Sequence, residues 1–446
     1  MQLTYGIKDK PKFGQTVLFA LQQLLAIIAA TIAVPASVNG EIFNKFGGDV
    51  MMSQTSALFG AGVGTLVYLL FTKFRSPVFL GSSFAFIPSM AAAVAGALSV
   101  YAGFAGFIIG ALIAGLVYVI ISVIVKVAGT KWIDKLMPAS VIGPTVAIIG
   151  LGLAGSAVGQ VLNGGLDETS TYVSLICGLV TLGVTVLASV YGKKMMKMIP
   201  FVIGIVAGYV CATVFTLIGD ATGNAALKVV NFGIFSNMTW LPDFTFVEAF
   251  KGFGDITPSY LITLIVAYAP VAFVVFAEHL ADHKNLSSII EKDLLKDPGL
   301  HRTLLGDGIG SFAGAFFGGC ANTTYGESIA CTAISGNASV VTILYTAILA
   351  MVISFFGPFA TFLASIPSCV MGGVCFALYG FIAVSGLKMI QGVDLNENRN
   401  LFTVSVILIA GVGGMSVSFG AVRLTTVACA LILGILTNLM LGRKKA

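Results

Sequence analysis

The chain reads as an all-α polytopic membrane protein with fourteen transmembrane segments, built as two inverted repeats of seven helices. Composition, the spacing of apolar runs and the distribution of charge predict this. Of 446 residues, 57% are hydrophobic and only 10% are charged. A soluble domain covers its surface with roughly 25% charge, so this surface fits lipid as its solvent. The length would allow two or three soluble domains. A bundle with short loops accounts for it as one body.

The first fifteen residues are polar, with Lys8, Lys10 and Lys12, and no small-residue cleavage site precedes the apolar run. That run is expected to stay in the mature protein as its first span. A span needs about 20 apolar residues. Seven candidates lie near 14–35, 53–72, 79–98, 101–125, 138–159, 170–191 and 198–219. Seven more lie near 258–281, 300–317, 319–336, 339–363, 367–389, 400–416 and 422–441. The third and tenth are the least regular.

Charge tests this count. With the N-terminus inside, the cytoplasmic segments hold Lys8, Lys10, Lys12, Lys73 and Arg75, then Lys126, Lys131 and Lys135, then Lys193, Lys194 and Lys197. The loop after span eight adds Lys284, Lys292, Lys296 and Arg302. Lys388, Arg399, Arg443, Lys444 and Lys445 complete the set. Of the 24 Lys and Arg residues, only Lys45, Lys228, Lys251 and Arg423 fall elsewhere. The positive-inside rule produces this asymmetry, and it places both termini in the cytoplasm. The formal charge of +5 is thus a topology signal, and no nucleic acid partner is needed to explain it.

Seven spans per half invert the second half relative to the first. The expected organisation is residues 1–220 for the first repeat, 221–257 for an extracellular connection and 258–446 for the second repeat. A faint echo supports it. Pro138-Ala-Ser-Val-Ile-Gly143 opens span five, and Pro367-Ser-Cys-Val-Met-Gly372 opens span twelve. Inverted repeats are a common plan of secondary transporters.

Spans three and ten begin as poor lipid-facing helices. One starts Leu80-Gly-Ser-Ser-Phe-Ala-Phe-Ile-Pro88, the other Gly318-Gly-Cys-Ala-Asn-Thr-Thr-Tyr-Gly-Glu-Ser328. Unpaired backbone must be buried in protein or line a wet cavity. Two short extended segments can pair across a pseudo-twofold axis, each leading into a half-helix whose N-terminus offers free N–H groups. Close helix packing through small residues is the plainer reading. A glutamate in one of the paired breaks favours a ligand site.

Most of the 19 acids lie in loops. Glu278, Asp282, Asp307 and Glu327 do not. A charge near the bilayer centre costs roughly 2.5–3.5 kcal/mol on insertion scales, and the only Lys or Arg in the same spans is Arg302, at the cytoplasmic start of span nine. An acid without a cation in a low dielectric takes up a proton. A carboxyl that exchanges its proton near neutral pH can both hydrogen-bond a neutral heterocycle and carry a coupling proton. Glu278 ends a wholly apolar run, and Asp282 follows four residues later on the same helix face. Asp282 also fits a helix-end acid near the cytoplasm. Asp307, among glycines, fits either a bond to the backbone of a broken span or a share in proton transfer. His279 points to another face, and His283, beside Lys284, is expected at the membrane edge. Gln22 and Gln23 are expected to bond between helices.

Other chemistries find little support. The seven cysteines are scattered without a CxxC pair and read as small core residues. Three histidines are too few and badly placed for zinc. There is no nucleophile elbow and no phosphate loop, so an enzyme is not expected, nor a cofactor other than a coupling proton. A channel would need a continuous polar stripe, which the spans lack.

Four stretches carry a family resemblance: Leu80-Gly-Ser-Ser-Phe-Ala-Phe86, Ala277-Glu-His-Leu-Ala-Asp282, Lys292-Asp-Leu-Leu-Lys-Asp-Pro-Gly-Leu-His-Arg302 and Asn322-Thr-Thr-Tyr-Gly-Glu327. In order along essentially the whole chain, they resemble the bacterial uracil permeases of the nucleobase–ascorbate (nucleobase:cation symporter-2) family. Xanthine and urate members typically carry Gln and Asn where this chain has Tyr-Gly-Glu. The resemblance implies a proton symporter of the bacterial inner membrane, a homodimer through its gate domain. It implies a core domain of spans 1–4 and 8–11, a gate of spans 5–7 and 12–14, and antiparallel strands in spans three and ten. Glu278 and Glu327 resemble the acids that hydrogen-bond the uracil ring. Phe84 and Gly326 resemble the residues whose amides meet its carbonyls, and Tyr325, Ala30 and Tyr379 the apolar wall. Two positions depart from relatives: Asp282 stands where some uracil permeases have histidine, and Gln22-Gln23 where many have Gln-His. The function implied is uracil uptake by alternating access, with a xanthine or urate carrier and a passive facilitator as the competing readings.

Overall fold

The computed structural model describes residues 3–129, 131–193, 195–236, 238–419 and 422–442. Lys194, Arg443, Lys444 and Lys445 of the charge pattern lie outside the described residues, and so do the side chains of Lys131 and Arg423.

Helices dominate. The first part of the chain forms α1 (Phe13–Phe46), α2 (Gln54–Phe71), strand β1 (Leu80–Ser82), α3 (Ile87–Gly96), α4 (Val100–Ala128) and a short α5 (Lys131–Leu136). It continues with α6 (Ala139–Gly152), α7 (Ala154–Asn163), α8 (Thr171–Tyr191), α9 (Met195–Met198) and α10 (Pro200–Thr222). After α11 (Thr245–Gly252) come α12 (Pro258–Ile290), α13 (Leu300–Gly318), strand β2 (Asn322–Thr324) and α14 (Gly326–Ser335). The last part holds α15 (Val340–Ile353), α16 (Gly357–Ser365), α17 (Ser368–Ile390), α18 (Asn398–Val412), strands β3 (Val417–Phe419) and β4 (Val422–Leu424), and α19 (Thr426–Leu441).

Eight of the described helices are long and apolar enough to cross a membrane. Counted together, the pair α15 and α16, bent by 84°, is also long and apolar enough. Pro358 lies at the start of α16; without an N–H it cannot continue the preceding helix. Each of the fourteen apolar runs coincides with a helix or with a strand leading into one. The run at 138–159 divides between α6 and α7, and helix α12 continues nine residues beyond the expected end at 281. The antiparallel β3–β4 hairpin was not foreseen. Strand β3 follows the run at 400–416 and β4 takes the first residues of the run at 422–441; Gly414 adopts φ +68° after α18 and β-branched Val417 favours extension.

Two groups of helices pack chiefly within themselves. Helix α13 lies against α2 and α4, α12 against α4 and α3, and α15 against α1 and α2. Separately, α17 lies against α6, α7 and α8, α10 against α8, and α18 against α6 and α19. Glycine permits the closest contacts: a side chain on Gly314 would overlap the Asn322 amide. The N-terminal segment is tied down as well. Thr4 and Tyr5 donate to the carbonyl of Gly336, which ends α14 in the left-handed region at φ +66°.

Three of the four cations outside the cytoplasmic set have partners. Lys45 donates to the carbonyls of Val94, Ala95 and Ala97 at 2.9, 2.8 and 2.6 Å, where α3 ends. A cation is favoured at that end of a helix dipole. Lys228 pairs with Asp220 at 2.7 Å and Lys251 with Glu248 at 2.8 Å. These local pairings account for positive charge away from the basic side.

Candidate functional site

Strands β1 and β2 meet antiparallel, with Leu80 opposite Thr324, Gly81 opposite Thr323 and Ser82 opposite Asn322. Ser83 N–H donates to Ala321 O at 2.9 Å and Tyr325 N–H to Phe79 O at 3.2 Å, extending the ladder at both ends. Backbone that is not helical is thereby satisfied inside the apolar interior. Gly319, at φ +75°, turns the chain out of α13 just before β2. A 3-10 turn at Phe84–Phe86 then leads into α3, and Gly326 begins α14 with Glu327 in its first turn.

These starts converge on a cavity of about 400 Å³ between the two helix groups, within the roughly 300–1,000 Å³ of small-ligand sites. One wall carries Ser83, Phe84 and Ala85, then Thr323 through Glu327, with Glu278 and Asp282 from α12. The facing wall is largely apolar: Val146 and Ile149 from α6, Phe201 from α10, and Leu378, Phe381 and Ile382 from α17. Glu278, Asp282 and Glu327 are half-buried, as expected of acids that face a cavity. Thr324 Oγ1 donates to the Asp282 carboxylate at 2.7 Å, joining the strand ribbon to α12. Gln23 of α1 donates to the Ser328 carbonyl at 3.1 Å and also to its hydroxyl, bracing the residue after Glu327.

Of the residues singled out in the sequence, Glu278, Asp282, Glu327, Phe84, Tyr325 and Gly326 come together at this cavity. Three do not line it. Ala30 is fully buried, and the lining residue of α1 is Ala26, one turn earlier. Tyr379 stands behind Phe84, their rings edge to face at 5.7 Å, and its hydroxyl bonds the Ser37 hydroxyl at 2.6 Å. Asp307 is 1% exposed and bonds His279 Nδ1 through Oδ2 at 2.7 Å, so its recorded partner is an imidazole instead of the backbone of a broken span. Asp282 is no helix-end acid, because α12 runs on to Ile290. His283, expected at the membrane edge beside Lys284, turns inward. It is fully buried, with Nε2 2.7 Å from the Tyr68 hydroxyl, and polar partners inside the bundle let α12 continue through its charged stretch.

Sequence reasoning missed Thr323, Thr324 and Lys197. The threonines adjoin Tyr325 and could have been found from the broken span. Lys197 could not, because it belongs to α9, far along the chain. It is the one basic side chain among the described lining residues, and with Ser189 and Met389 it extends the cavity toward the basic ends of α8, α10 and α17. Among the described residues no group of three or more His, Cys, Asp or Glu side chains could hold a metal ion.

Comparison with known proteins adds to this geometry. The family model Xan_ur_permease, described as "Permease family", matches residues 14–419. The chain is 39% identical to the uracil permease of Bacillus caldolyticus, over 99% of this chain and 95% of that one. It is 36% identical to the uracil permease of Bacillus subtilis (100% and 96%) and 36% identical to that of Escherichia coli K12 (96% and 92%). In fold it is similar to the transmembrane domain of the cyanobacterial bicarbonate transporter BicA, with TM-score 0.67 at 18% identity over 96% of this chain and 99% of that one. Murine Slc26a9, an anion transporter in the inward-facing state, gives TM-score 0.65 at 12% identity over 98% and 69%. The chain is therefore a multi-pass membrane protein and not an enzyme, and it belongs to the xanthine/uracil permease family.

Proposed function

We propose that this protein takes up uracil across the bacterial inner membrane by proton-coupled alternating access. The observation that carries the reading is the meeting of Glu278 and Glu327 with the starts of two half-helices at one cavity, in a chain whose relatives are named uracil permeases. Uracil offers two ring N–H donors and two carbonyl acceptors. Carboxyl groups at Glu278 and Glu327 take the N–H groups or donate when protonated, while amides near Phe84 and Gly326 meet the carbonyls. A base that misses one of these bonds leaves a buried polar group unpaired, which sets selectivity. Tyr325 and Phe84 supply the flat apolar surface, with Tyr379 packed behind Phe84 and Ala30 buried in α1.

The group around α12 and α13 acts as the core, spans 1–4 and 8–11, and the group around α17 as the gate, spans 5–7 and 12–14. Fourteen spans in two inverted halves, cytoplasmic termini and a homodimer through the gate complete the reading. With the basic ends inside, the lining from Glu278 out to Lys197 opens this conformation toward the cytoplasm. Protons exchange at Glu278, Asp282 and Asp307 as the core moves against the gate.

Uptake of labelled uracil into vesicles with and without a pH gradient tests the whole. Accumulation that tracks the gradient supports it, and gradient-independent uptake would sink the coupling. A xanthine or urate carrier is the second reading, favoured by the breadth of the matching family model. Competition by free bases separates the two. A passive facilitator would equilibrate uracil without accumulating it.

A further inference from the structure

We propose that His279 and Asp307 form one proton-binding site, outside the substrate cavity, whose shared proton couples uracil movement to the pH gradient. The inference rests on the reading of the chain as a proton-coupled transporter and assigns that proton a place.

Hydrogen-bond accounting carries the argument. The Thr303 hydroxyl donates its single hydrogen to Leu300 O at 3.0 Å. Its oxygen therefore accepts from His279 Nε2, 3.0 Å away, and Nε2 carries a hydrogen. At the other side of the ring, Nδ1 lies 2.7 Å from Asp307 Oδ2. Two bare acceptors at that distance would repel each other, so one proton lies between them. It is either a carboxyl proton donated to a neutral imidazole or an imidazolium N–H donated to a carboxylate. In both forms the pair is loaded and neutral overall. Removing that proton leaves a negative charge among side chains that are 0% and 1% exposed, a costly state in a low dielectric.

A carboxyl kept for packing alone would have both oxygens bonded. Among the described residues Asp307 Oδ1 has no partner, and neither has the Tyr118 hydroxyl of α4, although the Tyr118 ring meets His279 edge-on at 6.3 Å. Helix α12 links the pair to the cavity. Its Glu278 and Asp282 face the substrate side, while His279 and His283 face α13 and α2, their rings stacked at 4.0 Å. The titratable groups facing the pair are Tyr118 from α4, Tyr68 from α2, and Glu278, Asp282 and His283 from α12 itself. Glu278 directly precedes His279 in the chain, so charge on it acts on the pair at short range. Loading moves a proton from water on one side to the pair, and unloading returns it to water on the other. No redox partner takes part.

The test uses full-length protein in liposomes with uracil as the probe. Asp307→Asn keeps the bond, because the amide donates to Nδ1, but removes the exchangeable proton. Uracil binding within threefold of wild type, with accumulation driven by an inside-alkaline gradient reduced at least tenfold, is the expected split. Retained gradient-driven accumulation, or loss of binding and accumulation together, would overturn the proposal. His279→Gln is the second variant and should show the same split. If neither variant folds, nitrogen-15 spectra of histidine-labelled wild type decide: an Nδ1 signal shifted by a proton held between it and Asp307, as donor or as acceptor, supports the site, and the Nδ1 signal of an imidazole without a hydrogen bond there overturns it. A wild type that accumulates no base removes the transport reading and this proposal with it; a wild type that accumulates uracil beside an Asp307→Asn variant that still follows the gradient removes only the latter.

Discussion

Tyr325 occupies the space that a side chain on Gly81 would need: a Cβ there would overlap the Tyr325 ring. The Tyr325 hydroxyl donates to the next carbonyl, Ser82 O, at 2.8 Å. The aromatic surface of the cavity is therefore seated on the strand ribbon by one missing methyl group. Gly81→Ala is expected to displace the ring and weaken uracil binding at least tenfold, measured by calorimetry on purified protein. Unchanged affinity would show that the ring position does not matter for the ligand.

The bond from Thr324 to Asp282 ties β2 to α12 across the cavity wall. A hydrogen bond of this kind contributes about 0.5–1.5 kcal/mol. Thr324→Val, which keeps the shape and removes the donor, should raise the KM for uracil by about tenfold. Thr324→Ser should restore most of it. Equal kinetics for valine and threonine in vesicle uptake would mean that the bond carries no weight.

Tyr379 and Ser37 are bonded at 2.6 Å between α17 and α1, which belong to different helix groups. Neither lines the cavity. Tyr379→Phe should lower thermal stability by an amount equivalent to about 1 kcal/mol while leaving uracil affinity within twofold. A tenfold loss of affinity without a change in Tm would instead place Tyr379 in contact with the ligand.

Asn322 donates to Gly60 O at 3.1 Å, and its amide sits where a side chain on Gly314 would be. The amide has no room to retreat between α2 and α13. Gly314→Leu should therefore abolish a monodisperse species in size-exclusion chromatography. Recovery of wild-type yield would contradict this packing.

Much of the fold was legible because a bilayer restricts the choices. Runs of about 20 apolar residues can only be helices there, and the structure has helices at all of them. The ribbon was legible for the converse reason, since Gly, Pro and small polar residues at Leu80–Ser82 and Asn322–Thr324 cannot make lipid-facing helix. Glu278 and Asp282 were legible from a spacing of four in an apolar run. The sequence was a poor guide to His283 and Asp307. Whether an ionisable group meets a partner or the membrane edge depends on what the next helix presents, and Tyr68 and His279 are that answer.

By itself the sequence determined a many-helix membrane protein with two broken segments and unpaired acids, because hydrophobic length and charge asymmetry are properties of the chain alone. Tertiary structure decided which acids face a cavity and which face a histidine. It also brought Lys197, from a separate short helix, to a lining that has no other basic side chain among the described residues. Those outcomes depend on which helix faces meet, and residues distant along the chain set that meeting.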